Sequence, residues 1–310
     1  MDPVAHTLTG AVLAKAGLDR RTPLALPTLL IGANLPDIDV VAYGWGEVFA
    51  LTFRRGWTHG VLAWVLLPLA LTGVMVGWDR WVRRARAPGG PPASAVVLLA
   101  LSVIGVWSHP LLDLLNVYGI RLLMPFSDRW FYGDVLFIVD PWLWLALAAG
   151  VLVARRRGSP RPARFALVGV GVYVGAMALS MMAARTVVRR EMTAAGIGAE
   201  RIMVAPVPLN PFRRSVVVDG GAEYRVGDFD WLRSPPVRGR ALVALATGAG
   251  DPRLASLGAV PEAAGFLSWA RFPFFQVTER EPGVDVEIID ARYAVEAGAP
   301  FGALSVALPR

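Results

Sequence analysis

Long apolar blocks constrain the fold of this chain more than any other feature of its sequence. Four blocks approach the roughly 20 residues that a helix needs to cross about 30 Å of hydrocarbon. Only 18% of the 310 residues are charged, whereas a soluble domain usually carries about 25%. The blocks are residues 60–78, 94–112, 135–154 and 165–184. We therefore predict a multi-pass α-helical membrane domain over residues 1–185.

The positive charge of the chain is concentrated beside these blocks. Residues 1–185 hold 17 basic and 10 acidic residues, whereas residues 186–310 hold 14 of each, so the net charge of +7 belongs to the predicted membrane domain. Basic clusters next to spanning helices are typical of cytoplasmic loops. We therefore expect the charge to set the membrane topology, and we expect no nucleic acid as a partner. The clusters are Arg80, Arg83, Arg84 and Arg86, and Arg155, Arg156, Arg157, Arg161 and Arg164.

Placing both arginine clusters in the cytoplasm determines the side of the other loops. The loop at residues 116–134 then lies outside, and so does everything after about residue 185. Arg185, Arg189 and Arg190 argue against this orientation, because they would lie just outside the last span. Two further segments are short for full spans, and we expect them to be tilted or half-buried. One is a helix that starts at Asp2-Pro3 and runs through His6 to Lys15, and the other is the apolar run at residues 24–36.

All three histidines fall on the same predicted face of the membrane. His6 begins the first helix, His59 precedes an inward span and His109 ends an outward one. The chain contains no cysteine, so a metal would bind through imidazoles and carboxylates, a ligand set that suits zinc, manganese or iron. We predict a site for one or two divalent ions, with zinc as the first choice. The predicted metal ligands are His6, Asp37, Asp39, His59, His109 and Asp113.

Local spacing supports this prediction. His109 and Asp113 are four residues apart, so they point the same way on a helix, and a carboxylate in an apolar segment is costly without a partner. Asp37 and Asp39 alternate after a proline, so both can bracket a cation, or one can bind it while the other orients a histidine. Two ions can activate water and stabilise a leaving oxygen. Asp39 and His59 are the candidate catalytic residues for proton transfer.

A second polar group follows in the predicted outer loop and the next apolar block. Arg121 and Arg129 are candidates to hold a phosphate, and Asp134 and Asp140 accompany them as candidate substrate-binding residues. Asp140 lies in an apolar run, so it needs a partner or a water-filled cavity. An arginine–aspartate pair that only pins the loop accounts for these residues equally well.

Two other functions remain open from the residues alone. A non-catalytic membrane binding or assembly protein would use the metal for structure, and a lone histidine near an interface is more often structural than functional. A metal or proton transporter would use the same residue types. Transporter sites, however, usually lie near the midplane between repeated halves, and no internal repeat is visible in the sequence.

The histidines and aspartates lie in four short motifs: His6-Thr-x-x-Gly10, Asn34-Leu-Pro-Asp37-Ile-Asp39, Arg55-Gly-Trp-Thr-His59-Gly60 and Ser108-His109-Pro-Leu-Leu-Asp113. In this order they resemble the YdjM-like family of inner-membrane, predicted metal-dependent hydrolases, described as LexA-regulated in some bacteria. Residues 118–126 and 134–141 are also similar to the family. The resemblance covers about residues 1–185.

This resemblance implies a metal-dependent hydrolase in the bacterial inner membrane. The family is thought to be distantly related to zinc-dependent phospholipase C and P1-type nucleases, which are helical and use clustered zinc ions. The resemblance therefore favours a phosphoester substrate, either a phospholipid or a lipid-linked phosphate, with membrane lipids as partners. The resemblance supports the predicted metal site more strongly than it supports the predicted substrate.

The composition changes after about residue 190, where short β-branched runs alternate with turns. Asp219-Gly220-Gly221 between two such runs indicates a hairpin, and residues 241–255 and 261–270 look helical. We predict a small, mainly antiparallel, extracytoplasmic β domain at residues 186–310, which makes the fold class α+β. The predicted strands are residues 201–207, 215–218, 223–227, 274–279, 284–289 and 303–308.

Overall fold

The structure is a computed structural model that describes residues 1–237, 242–294 and 301–309. The chain divides into two compact units, one formed by Met1–Val41 and Phe53–Ala178 and the other by Ala42–Thr52 and Leu179–Arg310. The helices are α1 (Pro3–Lys15), α2 (Ala25–Asn34), α3 (Glu47–Phe53), α4 (Ala63–Trp78), α5 (Arg84–Arg86), α6 (Ala95–Leu114), α7 (Pro141–Arg157), α8 (Arg161–Ala194) and α9 (Pro261–Trp269).

Within the described residues, four helical segments are long and apolar enough to cross a membrane. They are Ala25–Trp45, Ala63–Arg86, Ala95–Leu114 and Arg161–Ala194. The prediction of a helical, multi-pass N-terminal half is confirmed. The short apolar segment predicted at residues 24–36 is longer than expected, because α2 continues directly into a 3₁₀ helix at Leu35–Trp45.

The block at residues 135–154 is predicted as a span, and this prediction is wrong at its start. The helix there begins only at Pro141, because Asp140 caps it: Asp140 Oδ1 accepts a hydrogen bond from the backbone N–H of Leu143 at 2.9 Å. The second oxygen, Oδ2, accepts one from the Tyr173 hydroxyl at 2.9 Å. A cap and a hydroxyl are therefore the partners that this carboxylate needs in an apolar run.

Close packing between α2 and α6 determines where His109 lies in the first unit. A Cβ added at Gly32 would lie 3.2 Å from the Cα of Gly105, so both residues must be small for the two backbones to approach, as is common between membrane helices. His109 lies one turn after Gly105 on the same face of α6. The approach of the two helices thus brings the His109 ring against the end of α2.

The second unit contains two antiparallel sheets. In the first, β1 (Arg201–Pro206), β2 (Arg213–Asp219), β3 (Glu223–Asp230) and β4 (Val243–Ala246) are neighbours in that order, and in the second, β5 (Pro273–Arg280), β6 (Gly283–Asp290) and β7 (Ala303–Pro309) are. Six of these strands and the hairpin at Asp219 to Gly221 lie where the sequence predicts them. Valines of β1 and β2 pack with Phe229 and with the last turns of α8 to form a buried core.

The helix predicted at residues 241–255 is wrong. Val243–Ala246 forms β4, which pairs with β3 so that Val226 faces Val243 and Glu223 faces Ala246, and only a short 3₁₀ turn follows at Pro252–Leu254. Pairing with the open edge of β3 overrides the helical preference of alanine and leucine. Ala241 lies outside the described residues. The helix predicted at residues 261–270 is confirmed as α9.

Candidate metal centre

Five of the six predicted ligands come together in the first unit, from four parts of the chain. Four of these five side chains, the three imidazoles and the Asp113 carboxylate, are completely buried, whereas the Asp37 side chain keeps 18% of its surface exposed. α1 supplies His6, the 3₁₀ helix after α2 supplies Asp37, the turn before α4 supplies His59, and α6 supplies His109 and Asp113.

The Nε2 atoms of two histidines point at each other. His59 Nε2 lies 3.2 Å from His109 Nε2, and Asp113 Oδ2 lies 3.3 Å from the first and 3.1 Å from the second. Asp37 Oδ1 completes the group at 3.8 Å and 3.6 Å from the same two nitrogens. Four potential ligand atoms therefore surround one small volume.

The contacts of the Nδ1 atoms of His109 and His59 show which ring nitrogen carries the proton. His109 Nδ1 lies 2.7 Å from the carbonyl oxygen of Ala33, which can only accept, so Nδ1 carries the proton. His59 Nδ1 lies 3.3 Å from Asp39 Oδ2 and 2.9 Å from the Thr58 hydroxyl. Because Thr58 can donate to the same Asp39 oxygen at 3.2 Å, its own oxygen is free to accept from His59 Nδ1.

Both Nε2 atoms are therefore unprotonated. Their lone pairs face each other and two carboxylate oxygens. Lone pairs and carboxylates in contact repel one another unless a cation lies between them. Asp37 Oδ1 and Asp113 Oδ2 are buried and receive no hydrogen bond from the described residues. A divalent ion, with imidazole and carboxylate ligands, is the group that satisfies such a donor set.

His6 belongs to a second, overlapping group of ligand atoms. Its ring stacks on that of His109, with the centroids 3.6 Å apart, and its Nε2 lies 3.3 Å from Asp113 Oδ1. Neither of its ring nitrogens has a hydrogen-bond partner among the described residues. The two groups with metal-ligand spacing are His6, His109 and Asp113, and Asp37, His59 and His109.

Asp39 lies outside both groups, on the far side of the His59 ring. Its Oδ2 accepts from the Arg55 backbone N–H at 2.8 Å and its Oδ1 from Arg54 Nε at 3.2 Å. Of the roles that the sequence leaves open for this carboxylate, the geometry matches the one that orients a histidine, and its predicted catalytic role, like that of His59, stays a prediction.

Burial also sets the charge of His59. It lowers the pKa of this imidazole to about 4, although the hydrogen bond with Asp39 acts in the opposite direction. His59 is therefore neutral near pH 7, which is the form that binds a metal.

Arg121, from the second predicted group, contacts the segment that precedes His59. Arg121 is buried; its backbone N–H donates to the carbonyl of Arg55 at 2.8 Å, and its Nη2 donates to the carbonyl of Arg54 at 2.9 Å. Its guanidinium also lies 5.0 Å from the centre of the Trp130 ring. Arg121 thus supports the backbone of the segment before His59.

The remaining members of that group are dispersed. The Arg129 guanidinium lies over the Phe131 ring at 5.4 Å, Asp134 is buried in a left-handed backbone conformation with φ of 56°, and Asp140 caps α7. A substrate-binding role for Arg121, Arg129, Asp134 and Asp140 stays a prediction.

Sequence reasoning gave no role to Arg55, although it lies within one of the four motifs. Its Nη1 contacts Asp113 Oδ2, and the amino group of Met1 contacts Asp113 Oδ1. A sequence signal for Arg55 was present, because it lies four residues before His59 in the same motif.

Comparison with known proteins agrees with the resemblance of the motifs. Uncharacterized protein YfhP of Bacillus subtilis (strain 168) is 24% identical to this chain over 131 residues, which are 42% of this chain and only 37% of YfhP. No solved structure matches the chain. Residues 1–187, well over half of the chain, match the model of the family described as YdjM inner membrane protein. With its apolar helices, this chain is therefore an integral, multi-pass inner-membrane protein of the YdjM family.

Proposed function

We propose that this chain is a membrane-embedded, metal-dependent hydrolase of phosphoesters. The observation that carries the proposal is the convergence of His59, His109, Asp37 and Asp113 on one volume, with two imidazole lone pairs 3.2 Å apart. When bound there, a divalent ion supplies Lewis acidity that activates water and polarises a phosphoryl oxygen. Zinc suits the nitrogen and oxygen donors best, and manganese or iron also accept them.

The residues of the chain divide into those that would bind the ion and those that hold them in place. His59, His109, Asp37 and Asp113 are the proposed ligands. Asp39 keeps the Nδ1–H of His59 engaged, and the carbonyl of Ala33 does the same for His109, so that both Nε2 atoms stay available. Such outer partners fix the tautomer and the orientation of metal-binding histidines.

The number of ions depends on His109 and His6. His109 belongs to both ligand groups, but its Nδ1 is engaged by Ala33, so one nitrogen serves both groups and can bind one ion. A second ion would have only His6 and Asp113 from this set. The ligand count therefore favours one ion, with His6 as a fifth donor.

Exposure around the centre supports a substrate that is partly apolar. Asp37 is the one proposed ligand with an exposed side chain, at 18%, and its neighbours Ile38, Val40 and Val41 are all exposed. Exposed apolar residues in a spanning segment face lipid. This surface favours a phospholipid or a lipid-linked phosphate that reaches Asp37 from the bilayer.

The arginine clusters support an orientation with the metal centre and the C-terminal residues outside the cytoplasm. A reporter fused after residue 310 tests it directly, because alkaline phosphatase is active only outside the cytoplasm and a fluorescent protein folds best inside. Phosphatase activity of the fusion supports the orientation, and cytoplasmic fluorescence contradicts it.

Metal analysis of the purified full-length protein tests the proposed function. We expect bound zinc, manganese or iron, lost in His59→Ala and in Asp113→Ala but kept in Asp128→Ala, which changes an exposed aspartate of the following loop. Hydrolysis of a chromogenic phosphodiester and of a panel of phospholipids should be lost with the metal. Unchanged metal content in both His59→Ala and Asp113→Ala would contradict the proposed metal site.

Complete burial of three imidazoles favours one second candidate, a non-catalytic membrane protein that uses the metal to hold its helices together. The same variants separate the two functions. A structural metal predicts that metal and thermal stability fall together and that no phosphoester is hydrolysed by the wild-type protein.

A further inference from the structure

Arg55 is a buried guanidinium at the metal centre with unmet hydrogen-bonding capacity. Only 7% of the residue is exposed. Its Nη2 donates to the carbonyl of Met1 at 3.3 Å, but neither Nε nor Nη1 finds a hydrogen-bond acceptor in the part of the chain that the structure describes. Buried donors without acceptors are rare in native proteins, and each one needs an explanation.

The contact with Asp113 does not supply that explanation. Nη1 forms an ion pair with Asp113 Oδ2, but this contact leaves the Nε–H of Arg55 without an acceptor among the described residues. Asp113 Oδ2 is also the oxygen that faces His59 Nε2 and His109 Nε2. A cation bound by these atoms would engage this oxygen and leave the guanidinium free to act on another ligand.

Hydrogen bonds to the backbone of Arg55 keep its side chain next to Asp113. Its N–H donates to Asp39 at 2.8 Å, and its carbonyl accepts from the Arg121 N–H at 2.8 Å. The guanidinium carbon also lies 5.6 Å from the centre of the Tyr118 ring. The carboxylate that orients His59 therefore also positions Arg55.

A guanidinium in this position has the chemistry of an anion-binding group. It is always charged, and its planar N–H groups match the oxygens of a phosphate. One atom, Asp113 Oδ2, separates it from the point on which the histidine nitrogens converge. An anion that reaches the metal centre would thus meet a charged group whose Nε–H has no hydrogen-bond acceptor among the described residues.

We propose that Arg55 binds a phosphoryl oxygen of the molecule that occupies the metal centre. This inference rests on the proposed function, because it names the chemical group that the same site recognises. It also goes beyond the arginines that the sequence predicts as phosphate contacts, which are Arg121 and Arg129.

Binding of inorganic phosphate to the metal-loaded, full-length protein tests this role without relying on turnover. We compare the wild type with Arg55→Gln and Arg55→Lys, and use Arg86→Gln, an exposed arginine, as the matched control. Hydrogen bonds to charged groups are strong enough that we expect phosphate binding to weaken roughly 10- to 100-fold in Arg55→Gln, less in Arg55→Lys, and not at all in Arg86→Gln.

Metal content separates anion binding from a purely structural role. Removal of a positive charge beside a cation should leave metal affinity unchanged or higher, so Arg55→Gln should keep its metal while it loses phosphate. Equal phosphate binding by the wild type and Arg55→Gln overturns the proposal. Loss of metal from both Arg55→Gln and Arg55→Lys also overturns it, because Arg55 would then serve only to hold Asp113.

A lipid headgroup and a free phosphate carry the same phosphoryl oxygens, and a competition experiment distinguishes them. Nanodiscs with phosphatidic acid are compared with nanodiscs of phosphatidylcholine alone. Displacement of inorganic phosphate by phosphatidic acid in the wild type but not in Arg55→Gln supports a lipid as the source. Phosphate binding that depends on Arg55 but is not displaced supports a soluble phosphate. If the wild type binds phosphate through Arg55 but hydrolyses no phosphoester, the proposed function fails and the anion site stands.

Discussion

Asp113 in the first unit and Asp290 in the second are both completely buried carboxylates, yet their surroundings differ. Asp290 accepts hydrogen bonds from the backbone N–H groups of Arg271 at 2.8 Å and Arg292 at 3.0 Å, and it pairs with Nη2 of Arg292 at 2.7 Å. Asp113 contacts Arg55 and the Met1 amino group, but its Oδ2 also faces the Nε2 atoms of two imidazoles.

This difference separates a structural charge from a candidate binding site. The charge of Asp290 is neutralised by its own unit, so it needs nothing from outside. Around Asp113, two imidazole lone pairs face each other and an Asp37 oxygen has no hydrogen bond from the described residues, even though Arg55 and the Met1 amino group contact Asp113. These are atoms that could hold a metal ion. Burial alone therefore does not distinguish the two carboxylates, whereas the atoms that surround each of them do.

The largest effect on stability is expected for Asp290→Asn. Loss of one partner of a buried ion pair leaves the other charged and unpaired, which costs about 3–5 kcal/mol, so thermal unfolding should occur at a clearly lower temperature. The matched control is Asp285→Asn, whose partner Arg280 lies at 3.0 Å on the surface and which should change stability by about 0–1 kcal/mol. Metal content should stay unchanged in both variants, and a loss of metal in Asp290→Asn would break the comparison.

Gly32→Ala tests the packing that places His109. A Cβ there would lie 3.2 Å from Gly105 Cα, and overpacking of this kind typically costs about 1–3 kcal/mol. Gly73→Ala in α4 is the control, since a Cβ there meets nothing within 4 Å. We expect lower thermal stability and weaker metal binding in Gly32→Ala alone. Equal stability and equal metal affinity in the two variants would show that close approach of α2 and α6 does not position the ring.

Asp39→Asn tests whether this carboxylate orients His59. Removal of such an outer partner typically reduces metal affinity or activity by roughly 10- to 100-fold, and we expect this reduction without complete loss of the metal. Metal affinity is measured by competition with a chelator of known affinity. A variant that binds no metal at all would instead make Asp39 a ligand, as the sequence allows.

The smallest effect is expected at Tyr224 in the second unit. Burial raises the pKa of its phenol from the usual 10.0 to about 12, and the hydroxyl donates to the Pro273 carbonyl at 3.0 Å. Because the folded pKa is higher than the unfolded one, this contribution is complete below pH 10 and is lost as the pH rises through 12. Tyr224→Phe should cost about 1 kcal/mol near neutral pH, measured by thermal unfolding, and the stability difference from the wild type should shrink above pH 10. A constant difference across that range contradicts the shift.

The elements that sequence predicts well are those determined by local patterns. Apolar length identifies α4, α6 and α8, and the alternation of β-branched residues around turns identifies six of the seven strands in the described residues. β4 is missed because Val243–Ala246 has the composition of a helix and becomes a strand only by pairing with β3. The start of α7 is missed because hydropathy continues through residues 135–140, whereas the Asp140 cap fixes the helix start.

The candidate centre likewise has features that the sequence predicts and features that only the fold determines. Topology and spacing predict which residues lie on one face, and the i, i+4 relation of His109 and Asp113 is seen at 3.1 Å. The division of Asp37 and Asp39 between ligand and orienting positions depends on which side of the His59 ring each reaches, which is a matter of tertiary geometry. The involvement of Arg55 and of the Ala33 carbonyl likewise follows only from the fold.

An X-ray absorption spectrum of the purified full-length protein, recorded at the edge of the metal it retains, tests the central claim most directly. We predict a metal with a first shell of nitrogen and oxygen at about 2.0–2.2 Å, together with the outer-shell scattering of at least two imidazoles, which disappears with the metal in His59→Ala. A protein that retains no metal, or a metal surrounded by oxygen without imidazole, would contradict the account.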